Sequence, residues 1–373
     1  MSNVFIAADN ITSPIGLTTA DNFAQLKKGI SGVKQHANKA ITDEPFYAAL
    51  FEHDQFITYN QQTKYEQLLI ASITDALASC DIDPANKRTI LIISTTKGNI
   101  SLLETEENNE SLQKRIALPT SAKLVAKHFG FVNEPITVSN ACISGIMAVL
   151  TGMRLIRSGQ YENVVVAGAD VITKFVLSGF QSFQAISAEP CKPFDADRTG
   201  ITLGEGAATI ILSSNSKYNN NVKILSGAVS NDANHISAPS RTGEELGYAI
   251  TKTLKQAGFG TDDIDFISAH GTATSYNDEM EAKAINIAGL QNIPANSLKG
   301  FYGHTLGAAG LIESIISIQS LKGNVVLPTI GYANMGVSTP INICTSLLQG
   351  SYKTFLKTAS GFGGCNAAVL FSK

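Results

Sequence analysis

The stretch that most constrains the fold runs from residue 135 to 156. A β-branched run at 135–138 feeds Ser139-Asn140-Ala141-Cys142-Ile143-Ser144-Gly145, and residues 146–156 are then almost continuously apolar. That pattern predicts a strand turning at once into a mostly buried helix. Cys142 falls at the junction. A thiol there meets the positive end of the helix dipole and unpaired backbone N–H groups, which favour the thiolate and make it a candidate nucleophile. A small core cysteine fits the same stretch, since free cysteine is among the most buried residue types. The stretch alone does not choose between the two.

The rest of the chain bounds the answer. Its 373 residues are 44% hydrophobic and 16% charged, enough for one large core or two fused halves. The formal charge of −3 gives no global pull toward nucleic acid or a membrane surface. The five cysteines (Cys80, Cys142, Cys191, Cys344, Cys365) show no metal spacing and imply a reducing compartment, so a cytoplasmic protein is expected. No apolar run approaches the ~18 residues of a membrane span, and the first residues lack a signal-peptide pattern.

Strand and helix patterns alternate along the chain, which argues α/β layers. Strands are expected at 4–8, 89–95, 163–170, 207–212, 222–229, 264–269, 325–327, 341–343, 354–358 and 367–371. Helices are expected at 19–28, 64–80, 121–129, 146–156, 244–257, 278–288 and 308–321. Residues 30–60 read as irregular surface loop and the acidic segment 104–110 as solvated. The polar, asparagine-rich stretch 213–221 is the expected joint between two halves of similar element order, 1–215 carrying the cysteine and 216–373 carrying two placed histidines.

Those histidines are His270, delivered by an apolar strand into Gly271-Thr272-Ala273-Thr274, and His304, in Gly303-His304-Thr305-Leu306-Gly307 ahead of a helix. Ligands gather at the carboxyl ends of strands in such folds. His36, His53, His128 and His235 lack such settings and read as surface or packing residues. A thiolate can take an acyl group from a thioester, and two neutral imidazoles can hold an enolate oxygen. That combination suits Claisen condensation. Zinc is the rival for a Cys/His set, but the residues lie far apart in sequence and no metal is expected.

Together, Cys142 after alanine, His270-Gly271-Thr272-Ala273-Thr274, Lys299 five residues before His304, and Gly361-Phe362-Gly363-Gly364-Cys365-Asn366 resemble the β-ketoacyl-[acyl-carrier-protein] synthases. Ser13-Pro14-Ile15-Gly16 and the segment from Pro193-Phe194-Asp195 to Gly204-Glu205-Gly206 extend the resemblance over nearly the whole chain. It implies a thiolase-like fold, two similar βαβαβαββ halves in a five-layered α-β-α-β-α core. It also implies roles. Cys142 would accept the acyl chain, its N–H and that of Phe362 forming the oxyanion hole. His270 and His304 would assist malonyl decarboxylation and hold the enolate, with Lys299 tuning electrostatics near His304 and Glu313. Thr272 and Thr274 would bind the phosphopantetheine arm, and Phe362 would gate the site. Asp278 and Glu281 would support it. Glu313 and Asn366 would belong to an interior network that holds a monovalent cation in some members.

The same resemblance implies no cofactor of the protein's own, an acyl carrier protein as partner, and a homodimer joined along residues 135–139. Lys64, Lys127 and Arg154 are candidates for a basic docking patch. Several positions depart from the family pattern: Gly300 for serine, Ser360 for a phenylalanine, Ala273 for glycine or serine, Cys365 for threonine. They leave acyl-chain selection open and favour a specialised pathway over central fatty-acid synthesis. Two alternatives are a thiolase, for which Cys365 would be a second catalytic cysteine, and a non-elongating chain-length-factor-like subunit, which would have no need of Cys142.

Overall fold

The computed structural model describes residues 3–52, 62–219, 221–233 and 238–373. His53, His235 and Asn220 of the expected joint lie outside them. Ten strands make the main sheet. The first five are β1 (Phe5–Thr12), β2 (Thr89–Ser94), β3 (Ile136–Val138), β4 (Asn163–Asp170) and β5 (Gly206–Ser213). The second five are β6 (Lys223–Asn231), β7 (Phe266–Ser268), β8 (Ala295–Asn296), β9 (Thr354–Gly361) and β10 (Cys365–Ser372). Their order across the sheet is β3-β2-β4-β5-β1-β6-β10-β9-β7-β8.

Read outward from the β1–β6 junction, both halves have one permutation: 1-5-4-2-3 and 6-10-9-7-8. Strand polarity repeats as well. β2 runs parallel to β3 and β4 as β7 does to β8 and β9, while β5 and β10 are antiparallel to both neighbours. The junction is slight, a single paired register of Phe5 with Lys223.

The helices complete the layers. The longer ones are α1 (Thr19–Lys27), α2 (Lys64–Ala78), α3 (Leu118–Phe129), α4 (Ser144–Arg157), α5 (Lys174–Ser182), α6 (Glu244–Ala257), α7 (Ser275–Ile287) and α8 (Ala309–Gly323), with shorter helices at Glu110–Ile116 and Lys299–Tyr302. Helices α2 and α3 bury Leu68, Leu69, Ile73 and Val125 against the outer face of the first five strands. On the outer face of the second five, α6 and α7 bury Leu246, Ile250, Met280 and Ile285. Helices α4 and α8 fill the middle, where Ile146, Val149, Leu150, Leu311, Ile312 and Ile315 share one core with both sheet halves. This middle position explains the sequence of α8, apolar almost all round, because it has no solvent face. β5 and β10, covered on both faces, are buried at every residue.

Sequence patterning missed some elements, among them the helix Lys174–Ser182, and over-read one. Residues 30–60, expected as loop, include the hairpin Val33–His36 with Phe46–Ala49, which also pairs with Leu203–Gly204. Its first strand is short and mostly solvated, so alternation is weak. Buried Glu205 accepts the Phe51 N–H and anchors the following chain. Conversely, residues 341–343, expected as a strand, give only a bridge between Ala295 and Ile343.

Helices α4 and α8 approach closely at glycine. A methyl group on Gly310 would lie 2.7 Å from Ile146 Cγ1 and 3.1 Å from its backbone nitrogen. Gly310→Val must therefore push the two helices apart. It should lower stability by ~1–3 kcal/mol in denaturant unfolding; an unchanged midpoint would refute this account of the middle layer.

Candidate active site

Cys142, His270 and His304 converge at the carboxyl-end edge of the sheet. Cys142 follows β3 and precedes α4, His270 follows β7, and His304 lies between β8 and α8. One ligand-capable atom from each lies within 4.8 Å of the other two. The imidazole rings meet edge to face, centroids 5.3 Å apart. The three line a solvent-open cavity of about 270 Å³ together with Thr272, Thr274, Phe362 and Asn366.

The backbone around the site is strained. Five of the six non-glycine residues with positive φ among the described residues border it: Ala141, Gln184, Phe194, Ala273 and Leu306. Four of the five have a visible side-chain brace. Ser144 Oγ donates to Ala141 O (2.6 Å) and accepts the Asn140 N–H (2.8 Å), holding the turn that presents Cys142. Asp278 accepts the N–H groups of Thr272, Ala273 and Phe194. Glu281 accepts those of His270 and Gly271, both at 2.8 Å, and the Thr358 hydroxyl. Asp170, which the sequence reading passed over, accepts the Gly307 N–H at 2.6 Å and the Thr95 hydroxyl, so it ties the His304 loop to the first half.

Electrostatics differ from the expectation for Cys142. Burial pushes its thiol up to about 12. Neighbouring Cys365 adds to the rise, while Lys299 and Lys97 oppose it. Desolvation therefore outweighs the helix terminus, and the resting group is a thiol. His270 and His304 are held well below 6.5, first by burial and then by the Lys299 ammonium, so both rings are neutral near pH 7. Neither nitrogen of His304 has a partner among the described residues. Lys299 approaches His270 Nδ1 at 3.4 Å, which puts the ring proton on Nε2.

Lys299 is fully buried and donates to Glu313 Oε1 (2.6 Å) and to the His270 carbonyl (2.7 Å). It thus holds the His270 loop and faces Glu313, and its charge also acts on His304. The other oxygen of Glu313 meets Lys357 Nζ at 2.8 Å. Lys357 was missed, although one lysine inside the apolar run Phe355-Leu356-Lys357 was its signal. Two buried ammonium groups beside the Cys/His trio also make a poor seat for a dication. Asn366 does not join Glu313; it accepts the Ser360 hydroxyl and donates to Gly364 O.

Phe362 stacks on Phe180 and meets Phe183 edge-on, with centroids at 5.7 and 5.3 Å. Its neighbour Gly361 has no room for a side chain: a Cβ there would sit 2.9 Å from the Cys142 nitrogen and 3.0 Å from Cys365 Sγ. Thr272 and Thr274 share a hydroxyl–hydroxyl bond of 2.8 Å on the cavity wall. The three basic docking candidates are not grouped at this mouth. Lys64 is paired with buried Glu205. Lys127 and Arg154 lie in the last turns of α3 and α4, with Arg154 roughly 15 Å along the axis from the α4 start.

Comparison with known proteins gives the same picture. The profile of the β-ketoacyl synthase N-terminal domain matches residues 1–218, and that of the C-terminal domain matches 222–333. The chain is 26% identical to a putative mitochondrial 3-oxoacyl-[acyl-carrier-protein] synthase of Schizosaccharomyces pombe, over all of this chain and 99% of that one. It is 31% identical to 3-oxoacyl-[acyl-carrier-protein] synthase 2 of Mycobacterium bovis, over 64% of this chain and 60% of that one. Among solved structures, a β-ketoacyl synthase from Burkholderia phymatum superposes with a TM-score of 0.90 at 22% identity, each chain fully covered. The ishigamide ketosynthase/chain length factor superposes at 0.89 and 24%, covering all of this chain and 99% of that one. The fold is that of the thiolase-like ketosynthases, and the chain belongs to the β-ketoacyl synthase family of condensing acyltransferases.

Proposed function

We propose that this cavity carries out decarboxylative condensation between an acyl group held on Cys142 and a malonyl thioester, both delivered by acyl carrier protein. The observation that carries the reading is the convergence of one thiol and two neutral imidazoles within 4.8 Å. Attack of Cys142 Sγ on the acyl thioester releases the carrier thiol, and the cysteine proton passes to the leaving sulfur. His304, with both nitrogens unpartnered among the described residues, is the group free to relay that proton. The Cys142 and Phe362 N–H groups hold the oxyanion. The malonyl thioester then loses CO2. His270, protonated on Nε2, and His304 donate to the resulting enolate oxygen. The enolate carbon attacks the Cys142 thioester, forming the carbon–carbon bond and expelling the thiolate, which takes up a proton. The product is a 3-oxoacyl thioester on the carrier.

In this reading Thr272 and Thr274 bind the phosphopantetheine arm, and Phe362 moves out of its stack with Phe180 when an acyl chain enters. Lys299, Asp278, Glu281, Glu313 and Asn366 are positioning residues. The protein brings no cofactor of its own. A second copy pairs along β3, the outermost strand, where the Thr137 hydroxyl is buried without a partner among the described residues. The five free thiols support a reducing, cytoplasmic setting, and no helix among the described residues is long and apolar enough to cross a membrane. Departures at Ala273, Gly300, Ser360 and Cys365 favour a specialised pathway. A non-elongating partner subunit would not need the converging trio.

Incubating the protein with malonyl-carrier protein and a panel of acyl-carrier proteins should give 3-oxoacyl products by mass spectrometry. Cys142→Ala should lose acyl-enzyme formation entirely and condensation by at least ~10³-fold. No product with any primer, or undiminished condensation by Cys142→Ala, would overturn the reading.

The neutral histidines set a pH dependence. Their folded values lie below the unfolded value of 6.5, so the unfolded chain binds more protons as pH falls through 6.5. Each ring then costs up to ~1.4 kcal/mol of stability at pH 5.5, a loss absent at pH 7.5. In denaturant unfolding at these two pH values, His304→Asn should show the smaller acid loss. Equal losses in variant and wild type would contradict neutral imidazoles.

A further inference from the structure

The resemblance implied a monovalent cation near Glu313 in some family members, and the residues here leave no seat for one. Lys357 lies in β9 between the registers of Ser268 on β7 and Val369 on β10, and its side chain is fully buried. Its Nζ contacts Thr358 O at 2.7 Å, Glu313 Oε2 at 2.8 Å, Ser268 O at 3.1 Å and Ala269 O at 3.3 Å. One carboxylate oxygen and three carbonyl oxygens around a point make the kind of donor set that replaces the hydration shell of an alkali cation. Here an ammonium nitrogen stands at that point. The other Glu313 oxygen is engaged by Lys299 at 2.6 Å. A free cation would be a third positive charge facing a single carboxylate with both oxygens already in ion pairs.

We propose that the Lys357 ammonium is a tethered replacement for a bound monovalent cation, making this site independent of the alkali ions in solution. The charges support the substitution. Lys299 and Lys357 face Glu313 between them, and Glu281 lies near Lys357 as a second acidic neighbour. Lys357 is also among the groups that hold both imidazoles neutral. A cation joined to the chain gives that field permanently. A dissociable one would give it only when bound.

This inference concerns the site assigned above to condensation, but its test reads thermal stability without substrate, so the two fail separately. The wild-type protein is melted in KCl, NaCl or choline chloride at equal ionic strength. Equal Tm values are expected; a Tm that climbs with K+ or Na+ over choline overturns the proposal. Lys357→Ala opens the cage and leaves Glu313 Oε2 and the three carbonyls without their ammonium, which should lower Tm by ~5 °C or more in choline. Its Tm should then rise with K+ or ammonium concentration, as binding to the native state requires. A folded Lys357→Ala with no cation response refutes the substitution. Should that variant not fold, the wild-type salt series still decides.

Discussion

The structure depends on how closely α4 and α8 can approach in the middle layer. Gly145 is the second half of that contact: a Cβ there would lie 3.0 Å from both Gly307 O and Leu311 N. The two helices are equivalent elements of the repeated half, each following one edge strand of the main sheet. Bringing them together therefore brings together the two equivalent strand-to-helix connections. One connection carries Cys142 and the other carries His304. The site is a geometric consequence of stacking two copies of one topology, with His270 added from the next connection inward in the second half.

Burial then decides the chemistry of what was brought together. A thiol alone at a helix start would lean toward thiolate, yet Cys142 is enclosed and its proton is retained. The same enclosure, reinforced by Lys299 and Lys357, keeps both imidazoles unprotonated. Neutral rings can donate a hydrogen bond to an enolate or accept a proton from a thiol, and protonated rings could only donate. The positive charge needed near a developing anion is supplied one layer back, by lysines that Glu313 holds in place.

Much of this was legible in the sequence because the site sits on turns whose residue types are severely restricted. Cys142, His270 and His304 stand beside Gly145, Gly271 and Gly307, where a side chain would strike backbone or packed atoms. The alternating elements likewise read correctly wherever burial on both faces made them continuously apolar, as in β2 and β5. The hairpin at Val33–His36 and Phe46–Ala49 was lost because a short strand with one wet face leaves almost no periodic signal. Lys357 was lost because one cation in an apolar strand reads as an outward-facing residue. Only the tertiary fold shows that it points at a carboxylate on α8. The resting thiol could not be read either, since desolvation depends on β9 and β10 closing over the α4 start.

The carboxylates around the site are better understood through strain than through charge. Asp278 is lifted to about 6 by burial, a cost its three backbone N–H donors only partly offset. Asp170 is raised for the same reason. Such groups persist because the conformations they brace cannot hold themselves. Ala273, at φ +63°, and Leu306, at φ +50°, flank the histidine loops in a region of backbone space that costs ~1–3 kcal/mol for a residue with a side chain. A carboxylate offers two acceptor oxygens and no donor, so it can take several converging N–H groups at once. An asparagine in its place would turn one of those oxygens into a donor facing donors. The acidic residues thus fix where the imidazoles stand, and the lysines fix their charge. That division leaves Cys142 Sγ, His270 Nε2 and both His304 nitrogens, among the described residues, without a structural hydrogen bond.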